Sequence, residues 1–111
     1  MKDYWLVVSY LDKMIEICFP DNEMNNINAC LATISEQEMY RILEILLRID
    51  ENTNPFRLGY EYFTMEISYY IIDCEFHMFD EPIQFYLYTR VFKEALAEYL
   101  VKLDELKKIR D

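Results

Sequence analysis

Along the first eighteen positions, apolar residues return every three to four places. Tyr4, Val7, Val8, Leu11, Met14, Ile15 and Cys18 share that spacing, while Ser9, Asp12, Lys13 and Glu16 face away. The pattern predicts an amphipathic helix that ends before Phe19-Pro20. The polar run "PDNEMNN" predicts a loop, and "INACLATI" is short enough to be either a strand or the lead-in to a helix. At "SEQE" the signal sharpens. Ser35 can accept from the amide of Glu38 and Glu38 can reach back to the amide of Ser35, a capping box. From it a helix is predicted to about Ile49, burying Met39, Ile42, Leu43, Leu46 and Ile49, before "DENTNP" turns the chain.

The period then changes from 3.6 to 2. In Glu61–Ile71, Phe63, Met65, Ile67, Tyr69 and Ile71 alternate with Tyr62, Thr64, Glu66, Ser68 and Tyr70. A helix through Phe63, Ile67, Tyr70, Cys74 and Met78 also fits, but β-branched and aromatic residues dominate and no cap precedes them, which favours a strand. Residues 61–79 exceed one ordinary strand, so a bulge or a second strand is expected. "FDEP" predicts a turn and "IQFYLY" its antiparallel partner. Thr89 is expected to cap a last helix, Arg90 to about Ile109, with Phe92, Leu96, Tyr99, Leu103 and Leu106 as its apolar stripe. Lys107, Lys108 and Arg110 suit the negative end of its dipole. The expected fold is α+β in a single domain, residues 1–111: N-terminal helices, a small antiparallel sheet, and a long C-terminal helix packed on that sheet.

Composition narrows the function classes. One glycine and three prolines, with 53% apolar residues, argue against disorder and for a packed core. Ten tyrosines suit sheet surfaces and interfaces, where a ring is buried and its hydroxyl stays wet. The formal charge of −10 is local. Residues 14–40 carry five acids and no base, and residues 50–89 carry eight acids against Arg57 alone. Such a field repels nucleic acid and anionic membranes and favours basic partners. Cys18, Cys30 and Cys74 form no C-x-x-C pair, as in a reducing compartment. No signal peptide and no membrane-spanning stretch stand out, so a soluble, cytoplasmic chain is expected.

The chain's only histidine lies in "DCEFHMFDEPIQFYLY". On a strand, Asp73, Glu75 and His77 would share one face and Cys74, Phe76 and Met78 the other. Two carboxylates and an imidazole could hold a divalent cation or do acid/base work. The plainer account is a wet strand face, because a zinc or iron site would be short of nitrogen ligands. A nucleophilic triad lacks its glycine-bearing turn, and nucleotide cradles need glycines that are absent. Neither a catalytic residue nor a cofactor is expected. The acids around the tyrosine-rich hairpin carry more meaning, since their mutual repulsion is relieved if a basic protein covers them.

The segment "EFHMFDEPIQFYLYTRVFKEALAEYL", an acidic hairpin feeding a C-terminal helix in a short acidic chain, resembles the small immunity proteins of bacterial contact-dependent inhibition and related polymorphic toxin systems. The resemblance covers the last third of the chain and is one of general character. It implies a protein without activity of its own that binds a cognate toxin's C-terminal domain, often a basic nuclease, and blocks its active site. From the residues themselves, Glu61, Glu66, Asp73, Glu75, Asp80 and Glu81 are the expected contacts for lysines and arginines, with Tyr86 and Tyr88 as anchors. Two alternatives stay open: a small metal-dependent or acid/base enzyme using Asp73, Glu75 and His77, and a phage-type acidic inhibitor or DNA-mimic regulator. Homodimerisation through the aromatic sheet or the last helix is a further expectation.

Overall fold

The computed structural model describes residues 2–109. The chain opens on a hairpin, β1 (Trp5–Ser9) and β2 (Met14–Cys18), not on the predicted helix. Its antiparallel register pairs Leu6 with Ile17 and Val8 with Ile15, which puts these four side chains on one face. Val7, Leu11 and Met14, assigned to the buried stripe of a helix, are instead exposed. The physical reason is the β-branched density of "VV" and "IEI", which suits a pleat better than a helical turn. The turn between the strands is closed by Lys13, whose φ of 52° is left-handed backbone.

The run predicted as a loop contains a 3₁₀ turn, Asn22–Asn26. Asp21 starts it by accepting from the amide of Glu23 at 3.0 Å. The ambiguous "INACLATI" begins as a short helix, α1 (Ile27–Leu31), burying Ile27, Cys30 and Leu31. Helix α2 spans Glu36–Arg48, close to its predicted limits. Ser35 Oγ accepts from the Glu38 amide at 3.2 Å, so the first half of the capping box forms. The carboxylate of Glu38 turns elsewhere and accepts from the Tyr60 hydroxyl at 3.3 Å.

Four strands follow as an antiparallel meander: β3 (Phe56–Gly59), β4 (Phe63–Ile67), β5 (Ile71–Phe76) and β6 (Ile83–Tyr88). The long β-like stretch therefore divides into two strands. The break comes at Ser68–Tyr70, where the Ser68 amide donates to the Ile71 carbonyl at 3.0 Å. That turn resets the alternation, so Tyr69 and Ile71 are exposed and not buried with Phe63, Met65 and Ile67. Met78, expected beside Cys74 and Phe76, lies beyond β5 and is exposed as well. The edge strand β3 has too few residues to show a period of its own.

Helix α3 (Thr89–Lys107) closes the fold. Tyr88 occupies the N-cap position. Thr89 is buried just inside the helix, and its hydroxyl donates to the Ser68 carbonyl at 2.7 Å instead of capping. The helix packs against α2, the β1–β2 hairpin and β6. Lys107 in its last turn pairs with Glu36 in the first turn of α2, so opposite helix ends meet. Arg110 lies outside the described residues. The fold is thus mixed helix and sheet, with two antiparallel sheets where one was expected and a hairpin where the first helix was expected. One hydrophobic cluster joins them, from Ile17 and Phe19 through Ile27, Ile42 and Phe63 to Phe85, Phe92 and Leu96. No described helix is long and apolar enough to cross a membrane.

Candidate functional site

The four-stranded sheet buries one face and leaves the other open. Leu58, Phe63, Met65, Ile67, Ile72, Cys74, Phe76, Phe85 and Leu87 point into the core. By alternation, the residues between them form the outer face. The register fixes its rows. Arg57, Glu66, Asp73 and Tyr86 lie side by side across the four strands, and Gly59, Thr64, Glu75 and Gln84 form the next row. Apart from Tyr86, the residues of these two rows line a shallow depression of about 340 Å³.

Two contacts organise it. The Arg57 guanidinium donates twice to one oxygen of Glu66, from Nε at 3.3 Å and Nη2 at 3.2 Å. Gln84 Nε2 donates to Asp73 Oδ1 and to the Tyr86 hydroxyl, each at 3.1 Å. Glu66 and Asp73 are directly opposed like charges, an arrangement that destabilises a ladder unless something compensates. Arg57 offsets part of this repulsion from the sheet's edge. Among the described residues Glu66 is the only one of the six expected acids in an ion pair.

The remaining acids sit at one end of the sheet. Glu61 lies in the β3–β4 connection and Asp80 and Glu81 in the β5–β6 connection, which an antiparallel meander brings to the same end. The His77 amide donates to the Tyr62 carbonyl at 2.9 Å and ties the two connections together. Glu66, Asp73 and Glu75 therefore occupy the outer face, and Glu61, Asp80 and Glu81 fringe one end of it.

Tyr86 and Tyr88 alternate with buried Phe85 and Leu87 and share the outer face, two residues apart. Tyr86 stands in the acidic row, whereas Tyr88 is opposite Ile71 at the far end of the sheet. There Tyr88 helps line a groove of about 790 Å³ with Tyr69, Tyr70, Met24, Leu46, Ile49 and Val91, rimmed by Asp3, Asp21, Arg90 and Lys93. Tyr69 and Tyr70 meet edge to face at 4.7 Å, and the Tyr70 hydroxyl donates to Glu51 at 3.2 Å. Sequence reasoning did not find this groove. Its lining comes from five separated stretches, and no spacing rule links them.

Asp73, Glu75 and His77 do not assemble as imagined. The first two share the outer face, but His77 follows the end of β5 in the connection. No three described His, Cys, Asp or Glu residues gather closely enough to hold a metal ion. The cysteines are free thiols. Burial pushes Cys30 up to about 12 and Cys74 up as well, the latter reinforced by the neighbouring Cys30 and Asp73. Thiols so placed stay protonated and behave as small apolar groups.

Compared with known proteins, the chain matches no family model, no curated protein and no solved structure.

Proposed function

We propose that the outer face of β3–β6 is a docking surface for a basic protein, and that the chain acts as a stoichiometric inhibitor of the immunity-protein kind. The supporting observation is the row geometry. Glu66, Asp73 and Glu75 project from adjacent positions of one open sheet face, with Tyr86 beside them and Arg57 as the single opposing charge. Carboxylates in this layout would take the places that substrate phosphates occupy opposite a nuclease's lysines and arginines. Asp73 and Tyr86 are already oriented by Gln84, so less side-chain freedom is lost on binding. Glu61, Asp80 and Glu81 would extend the field and speed encounter. Desolvated charge pairs and the Tyr86 ring would slow release. A phage-type inhibitor of a host protein would use the same face with a different partner.

Reversing Asp73, Glu75, Asp80 and Glu81 to lysine tests this reading. All four are outside the core, so circular dichroism and melting are expected to stay near wild type. Protection of cells against the cognate toxin domain should disappear. Undiminished protection by the folded variant would refute the role of this face.

A further inference from the structure

The smaller sheet has an edge that the chain leaves uncovered. Ile17 gives its N–H to Asn28 Oδ1 and takes Asn28 Nδ2 on its carbonyl, both at 2.8 Å, so both backbone groups point away from β1. In an antiparallel ladder, opposed residues turn their N–H and C=O either toward each other or both outward. Leu6, the partner of Ile17, therefore points its own pair outward, and Val8 does the same two residues on. Trp5, Val7 and Ser9 are the residues that bond to β2.

The two edges are treated differently. On β2, Asn28 covers Ile17, and just past its end Asn25 Oδ1 accepts from the Phe19 amide at 2.6 Å. On β1, no described backbone or side-chain group reaches Leu6 or Val8 from outside the hairpin. Nor does β1 carry the usual protection of an open edge. "WLVVS" has no charge and no proline, and its register runs without a bulge. Trp5 and Val7, 49% and 48% exposed, make its outer face apolar, and Leu11 at the hairpin tip is 94% exposed.

We propose that β1 pairs antiparallel with β1 of a second copy about a two-fold axis at Val7, joining the two hairpins into one four-stranded sheet. This register places Leu6 opposite Val8 of the second copy, and the reverse, so every outward N–H and C=O of both strands enters a hydrogen bond. A two-fold at Leu6 or at Val8 would pair one outward residue with itself and push the other past the strand's end. At the axis Val7 meets Val7 of the second copy in a non-hydrogen-bonded pair, where side chains approach most closely. Charge favours the same choice. The stretch 1–13 holds Lys2 and Lys13 against Asp3 and Asp12 and is neutral, while the chain carries −10. No net charge on this stretch opposes the approach of a second copy. This interface is neither the aromatic sheet nor the last helix, and it leaves the acidic face free.

Sedimentation velocity on the full chain tests the proposal. The expected species has the mass of two 13.6 kDa chains. Val7→Lys sets two ammonium groups against each other at the axis and should raise the dimer dissociation constant on the order of tenfold or more. Val7→Thr, which keeps the β-branched shape at the axis, should leave the dimer within a few-fold of wild type. A single-chain mass throughout the micromolar range would overturn the proposal. So would a dimer that Val7→Lys leaves unchanged, because its interface would then lie elsewhere.

Discussion

Single side chains join the two halves of this fold, and their removal has calculable effects. The Thr89 hydroxyl is buried and donates to the Ser68 carbonyl, linking the start of α3 to the β4–β5 turn. Thr89→Val keeps the shape and removes the donor, and an unfolding titration should show a loss of about 1–3 kcal/mol. At Ser35 the cap is solvent-exposed, so Ser35→Ala should cost only about 1 kcal/mol. Two phenols give the chain an alkaline limit. Burial and the hydrogen bond to Glu98 push Tyr4 up to about 12. Burial and the charge of Glu38 do the same for Tyr60. Both are raised above the ordinary value of 10.0, so the native state holds these protons more tightly than the unfolded chain. The stability this confers is complete below pH 10 and is lost as the pH rises through about 12. Melting temperature measured from pH 8 to 12 should fall over that upper range. The fall should shrink in a Tyr4→Phe, Tyr60→Phe variant.

At the level of elements, the asparagine pair is the unusual device. Asn25 and Asn28, three residues apart on the 3₁₀–α1 segment, act as a surrogate strand against β2. Asn28→Ala would strip both partners from Ile17, and hydrogen exchange at that amide should accelerate while global stability drops by about 1–3 kcal/mol. How much of this could be read from the chain varied with period and length. α2 and β6 were legible because each has a clean period and a definite boundary, the Ser35 cap and the "DEP" turn. The first eighteen residues were misread because their apolar positions satisfy a 3.6-residue stripe and a hairpin alike. Only the tertiary partner, α3 packed against the β1–β2 hairpin, decides between them. The split at Ser68–Tyr70 has no glycine or proline to announce it. The three acids of the outer face could be foreseen from alternation. That Tyr88 falls opposite Ile71 and beside the groove depends on where β5 begins, which the period alone does not fix.

For the whole molecule, the two sheets divide the charge. Six of the eight acids of residues 50–89 lie on the open face and one end of the larger sheet, while Asp50 and Glu51 lie in the α2–β3 connection and the hairpin edge stays neutral and apolar. A partner drawn by that field should associate more slowly as salt rises. At about 0.1 M ionic strength, charges more than about 10 Å apart are largely screened. Stopped-flow association measured over rising salt should show the on-rate falling steeply, with dissociation changing less. Under the proposed function, the outer face of β3–β6, and no other acidic region, receives a basic protein. The most direct test is a titration of isotope-labelled protein with an oligo-arginine peptide, followed residue by residue through amide chemical shifts. Shifts are expected to concentrate at Glu66, Asp73, Glu75, Gln84 and Tyr86. Shifts spread evenly over Glu16, Glu23, Glu44 and Glu94, or confined to the groove beside Tyr88, would contradict it.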